Sequence, residues 1–331
     1  MFRPNVGRGR SNLLRRLISL HGFVMILALL LSAAAEATVP ADVLRRVSEL
    51  QGEVRLLHDA NFTVASAKPI SRSQTLRPRH VLQLARTVQH KINTLAMLNG
   101  AETILVGPMP TRKISPADVL ARIEAIAWVI EGVKSVVGVE ALVEFAPRRA
   151  NATPNDAYSA LYQLSQMIDG LGNPRTVPND LYNIVDSIVF ELEILKHHHL
   201  KPHQFWDQDL SDDSGTSNVD LRPASNGKTL ADIYDGTFAL AEALDGLIAS
   251  RPDLAPTGGI LRPYRWRAII NADQVSYALN DVLADVVAMK ATTGDLTLAS
   301  SKRPASGMTP THVYERLQDA MRIVALLAVE G

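Results

Sequence analysis

Apolar residues recur along the chain at spacings of four, three, four and three, which is the seam of an amphipathic helix and not the alternation of a strand. One stripe runs Val119, Ile123, Ile126, Ile130, Val133, and another Leu181, Val185, Ile188, Leu192, Leu195. Eight such stripes can be read, with first members at 43, 81, 119, 157, 181, 233, 275 and 313. Only Ala85, Ala157, Thr237 and Ala320 interrupt the run of Leu, Ile, Val and Met. Four of the seven steps are 38 residues and one is 42; the fifth stripe comes 14 residues early and the step after it is longer by as much. The pattern predicts an all-α fold of eight amphipathic helices in a repeat of about 38 residues. They would form two four-helix bundles or one continuous helical array, as repeats of this period do.

The polar residues just before each stripe read as helix starts. Ser115-Pro116-Ala117-Asp118 and Thr153-Pro154-Asn155-Asp156 have the form of a capping box. A Ser or Thr hydroxyl accepts from a free backbone N–H, the acid three residues on reaches back to the N-cap N–H, and Pro fits the first helical position. Thr229/Asp232 lacks only the Pro, and Thr309/Pro310/His312 puts His in the acid's place. Val39/Pro40/Asp42 and Val177/Pro178/Asp180 lack a polar cap; Arg77/Pro78/His80 and Asn271/Gln274 are the weakest copies. The recurrence of Asp at one helix position marks these carboxylates as caps. Tyr158, Tyr182, Tyr234 and Tyr314, one residue into each stripe, are read as packing at the helix start, with ligand contact as the alternative.

Between the first four helices lie linkers of about 18 residues, longer than the usual helix–helix connection and long enough to run back along a helix. Neighbouring helices therefore need not be antiparallel. Each linker carries a short apolar piece, Phe62–Ala65, Thr103–Val106 or Ala141–Phe145, that reads as brief strand or tucked loop. Each then turns basic: Arg72 and Arg77, Arg112-Lys113, Arg148-Arg149. Only Asn173–Val177 separates the fourth helix from the fifth, which predicts an antiparallel hairpin. It also suggests two halves, 38–175 and 176–331.

Composition adds an address. Residues 1–37 place five Arg before an apolar stretch from Leu17 to Leu31 and end in Ala35-Glu36-Ala37, the layout of a cleaved secretory signal. If it stays, Leu17–Ala35 is long enough to anchor the protein in a bilayer. The 331 residues balance 34 basic against 34 acidic side chains. Removing five Arg and Glu36 leaves 29 and 33, a net charge of −4. That argues against nucleic acid as a partner, although a local basic patch is compatible with it. Cys is absent, which rules out disulfides and thiol chemistry.

Candidate chemistry is sparse. His199 and His203, followed by Asp207 and Asp209, are weak candidates for a metal site, since imidazole and carboxylate suit Zn, Cu or Ni. Lys and His closing a helix also favour its dipole. The run from Asp207 to Asp213 resembles the start of a calcium loop but has Asp212 where Gly is required. Asn61-Phe62-Thr63 and Asn151-Ala152-Thr153 match the glycosylation sequon. No nucleophile elbow, phosphate loop or His-Glu-x-x-His occurs. The expectation is an exported, non-enzymatic, cofactor-free protein that binds a protein or cell-envelope component or builds structure there. A ligand-sensing bundle is the second reading, and metal binding through the 197–209 segment the third.

Overall fold

The computed structural model describes residues 38–199, 227–266, 269–295, 297 and 305–329. Among them are eight α-helices and no strand: α1 (Pro40–Ala60), α2 (Pro78–Asn99), α3 (Pro116–Val137), α4 (Pro154–Gly170), α5 (Pro178–His199), α6 (Leu230–Ser250), α7 (Ala272–Thr292) and α8 (Pro310–Val329). A 3-10 turn, Pro252–Leu254, follows α6. The short apolar pieces at 62–65, 103–106 and 141–145 are irregular chain.

The forty stripe positions form the core. All are buried except Leu171, which lies just past the end of α4 and packs against the core from its edge. At every helix start the N-cap N–H donates to the side chain three residues on. Asp accepts at Val39, Ser115, Thr153, Val177 and Thr229, at 2.8–3.1 Å. His80 and His312 use Nδ1 for the same bond, both at 3.1 Å. Asn271 and Gln274, weak by residue type, make a full reciprocal box at 3.0 and 2.9 Å. Amide and imidazole can each supply the acceptor, so the motif is broader than its Asp-containing copies.

The helices form two rings. In the first, α1 and α2 stand diagonally and each packs against α3 and α4; in the second, α5 and α6 stand diagonally and each packs against α7 and α8. Within each ring the helices are parallel. Pro40, Pro78, Pro116 and Pro154 converge on one small hollow, so the four N-termini share a pole. In the second ring Lys228 N donates to Thr311, Met308 N donates to Asn179, and Thr176 donates to Asp273, which gathers the four helix starts likewise.

Parallel neighbours require return runs, and the long linkers supply them. Lys68, Ile70 and Leu76 bond to Gln166, Ser159 and Asn155 in turn, tracing α4 from its end to its start. Ile104 and Gly107 retreat past Asn93 and Arg86 of α2. In the second ring Asp295, Ala305 and Met308 retreat along α5 past His198, Asn183 and Asn179.

The expected hairpin of α4 and α5 is corrected: the two helices do not pack on each other. The rings are antiparallel, since contacts between α2 and α7 run Arg79–Asp285, Gln83–Asn280, Lys91–Tyr277. The end of α4 therefore already lies beside the second ring's starting pole. Asn173–Val177 steps across with no return run, which accounts for the early fifth stripe.

Candidate functional site

A polar seam joins the rings. Helix α7 is buried on every side from Val275 to Val287. One side carries the apolar stripe; the other turns Tyr277, Asn280, Asp281 and Asp285 toward the first ring. Asp281 takes Arg72 Nη2 at 2.5 Å and the Tyr158 hydroxyl at 3.0 Å. Arg72 also stacks over the rings of Tyr158 and Tyr264. Asp285 takes Arg79 Nε at 2.7 Å, His80 Nε2 at 2.8 Å and the Leu261 N–H at 2.6 Å. Burial pushes the Asp285 carboxyl up. Its His80, Arg79 and Leu261 partners outweigh that and hold it below the usual carboxylate range. Ser165 and Tyr277 share a hydrogen bond at 2.8 Å, and Lys91 Nζ reaches Asp169 at 2.6 Å.

The buried imidazoles have structural work at both nitrogens. His80 donates from Nε2 to Asp285, while Nδ1 accepts the N-cap N–H of Arg77. His58 donates to Met167 O at 2.9 Å and accepts from the Thr63 hydroxyl at 2.7 Å. Neither has a free nitrogen to serve as a base, so the His–Asp pair at the seam holds the rings in register.

Beside the seam opens a cleft of about 570 Å³. Its walls are the starts of α2 and α3, the Pro256-Thr257 turn and the last turns of α7. Four cationic side chains line it, Arg77, Arg79, Arg112 and Lys113, and among the described residues no carboxylate does. The parallel ring explains this convergence, because each basic linker ends at the same pole. Arg79 is spoken for: besides Asp285 it donates to Thr257 O at 2.8 Å and Gly259 O at 2.7 Å, which locks the turn. Arg112 pairs with Asp118 at 2.5 Å. Arg77 and Lys113 have no ion pair among the described residues.

The turn in turn seats Arg77. Gly259 N donates to Pro256 O at 2.9 Å, and Gly258 has φ +88°, a left-handed position suited to Gly. A Cβ there would stand 2.2 Å from Arg77 Nε, so Gly258 is also the residue that lets the guanidinium lie against the turn. Arg77 Nε is buried without a partner.

The residues singled out from sequence fare unevenly. Tyr158 and Tyr234 are buried, the former in the seam, while Tyr182 and Tyr314 are half-buried against the core. His199 closes α5; His203, Asp207 and Asp209 lie outside the described residues, as does the 17–35 stretch. His198 pairs with Asp295 at 2.5 Å. No group of three potential metal ligands occurs among the described residues. No described helix is long and apolar enough to cross a membrane. The seam and the cleft were not legible as sites: the only signal was the basic end of each linker, and its meaning depends on the parallel packing. Comparison of the chain with known protein families, curated proteins and solved structures finds no match.

Proposed function

We propose that the chain is an exported, non-enzymatic binding or structural module of the cell envelope. The observation that carries this reading is how the polar side chains are spent. The Asp residues of the repeat close helix ends, and the buried His80, Arg72, Arg79, Asp281 and Asp285 hold two rings together. Arg77 and Lys113, which have no ion pair among the described residues, line an open cleft. A catalytic reading would need an activated base or nucleophile facing that cleft. Its lining offers cations, apolar groups and the hydroxyl residues Ser115, Thr257 and Thr292, and the Ser115 hydroxyl is engaged in the capping box with Asp118. The second reading, a bundle that takes up a small ligand, is supported by the cleft's size, within the range of ligand pockets.

The test is fractionation of expressing cells with N-terminal sequencing of the product. The expected outcome is protein in the exported fraction beginning at Thr38 and retained on cell-envelope material. Protein confined to the cytoplasm with Met1 intact overturns the reading; Met1 intact on membranes replaces a released module with an anchored one.

A further inference from the structure

The geometry points to the cleft between the starts of α2 and α3 and the Pro256–Gly259 turn as a binding site for an organic anion with a phosphate or carboxylate head and an apolar body. The inference rests on the reading of the chain as a binding module and names the ligand class. Three observations carry it.

The first is charge. The cleft presents four cations, two of which are neutralised by carboxylates behind the wall. Arg77 and Lys113 keep their charge, in a chain whose net charge is otherwise zero or negative. A concave surface of one sign raises the local concentration of the opposite ion.

The second is a held guanidinium without a partner. The Arg77 side chain lies against Gly258 on a turn that Arg79 locks in place. Gly258 covers Nε, and the side chain makes no hydrogen bond among the described residues, so its two Nη groups, which are not closed off, are left for an acceptor. A planar guanidinium held in place is suited to a two-oxygen contact with phosphate or carboxylate. The same side chain also borders a smaller hollow of about 230 Å³ lined by Gly258 and Gly259 of the turn.

The third is the complementary wall. Ile114, Pro116, Pro256, Ala288 and Ala291 face the same space, which a bare inorganic ion would leave uncovered. Helix α2 strengthens the site, because its first turn has His80 where α1, α3 and α4 have Asp. Its positive end is therefore not offset by an acid of its own.

The experiment is isothermal titration of the purified full chain with phenyl phosphate, benzoate and inorganic phosphate at low and high salt. Phenyl phosphate or benzoate should bind more tightly than inorganic phosphate, and binding should weaken with salt. Arg77→Gln and Lys113→Gln should each weaken it about tenfold, as loss of a charged hydrogen bond implies. Arg149→Gln, outside the cleft lining, should leave it unchanged. Lys113 is exposed, so its variant keeps the test valid should Arg77→Gln alter the fold, which thermal melts of each protein report. Absence of binding at millimolar ligand, equal affinity for inorganic phosphate, or binding indifferent to both variants overturns the inference. Those results leave the export reading standing, since fractionation tests it separately.

Discussion

Helices α3 and α7 occupy equivalent places in the two rings and present opposite outer faces. Each is the third helix of its ring and packs between the ring's two diagonal partners. The correspondence reaches single side chains. Lys134 follows the first stripe residue of α3 by 15 positions, and Lys290 follows that of α7 by 15. Their partners, Glu53 on α1 and Glu191 on α5, each stand 10 positions past the first stripe residue of their helices. Outside the ring the likeness ends. The outer face of α7 carries Tyr277, Asn280, Asp281 and Asp285, all buried against the first ring. At the matching positions α3 has Ala121 and Glu124, both exposed, Ala125, half-buried, and Val129, an apolar buried residue, and its exposed side continues through Trp128, at 49%, and Glu131. The inward stripe is thus conserved between the rings by the demands of the bundle, while the outward face is free to become a seam or a surface.

The largest effects should come from the inward faces, where the rings agree. Ile126→Asp in α3 and Ile188→Asp in α5 would each bury an unpaired charge, at a cost of several kcal/mol. Denaturant titrations should show one shared loss of stability if the seam couples the rings. Two separated transitions would show that each ring folds alone, and unchanged melts would refute the stripe as core.

The seam comes next. Asp285→Ala leaves Arg79 and His80 facing a void and should cost about 3–5 kcal/mol, the penalty for breaking a buried ionic group. The pH dependence has a definite sign. The Asp285 carboxyl is held below its ordinary value. Its contribution is therefore full above the unfolded carboxylate pKa of about 3.9 and is lost as pH falls through the lower folded value. Acid titration of stability for wild type against Asp285→Asn checks this: the variant should lack that part of the acid-side slope, and parallel curves would contradict the assignment.

The repeated ion pair should show a graded difference. Lys290 and Glu191 are 0% and 5% exposed, whereas Lys134 is 1% exposed but Glu53 is 18%. Lys134 also meets the open Glu131 at 3.2 Å. Lys290→Met should therefore cost about 3–5 kcal/mol and Lys134→Met about 1–3 kcal/mol, measured by urea melts. Equal costs would mean that solvent access to the carboxylate does not govern the pair.

Smallest is the cap. Thr153→Ala removes an accepting hydroxyl at the start of α4 and should cost about 0.5–2 kcal/mol without altering anion binding, which titration of the same protein reads directly.

The sequence by itself determined where the helices begin, which residues close them and which side of each is buried. Capping and the 3.6-residue period are local, and a stripe such as Leu181–Leu195 records burial within one element. It records nothing of what covers that face. The parallel direction of each ring, the antiparallel placing of the two rings, the Arg79–Asp285 contact across 206 residues of chain and the gathering of Arg77, Arg112 and Lys113 were decided by the tertiary structure alone. These depend on contacts between segments remote in sequence, whose residue types (a basic linker end, an Asp midway along α7) fit a solvated surface as well as a buried seam. The short Asn173–Val177 connection shows the limit: its length required a reversal, and only the placing of the second ring decided that the reversal was no hairpin.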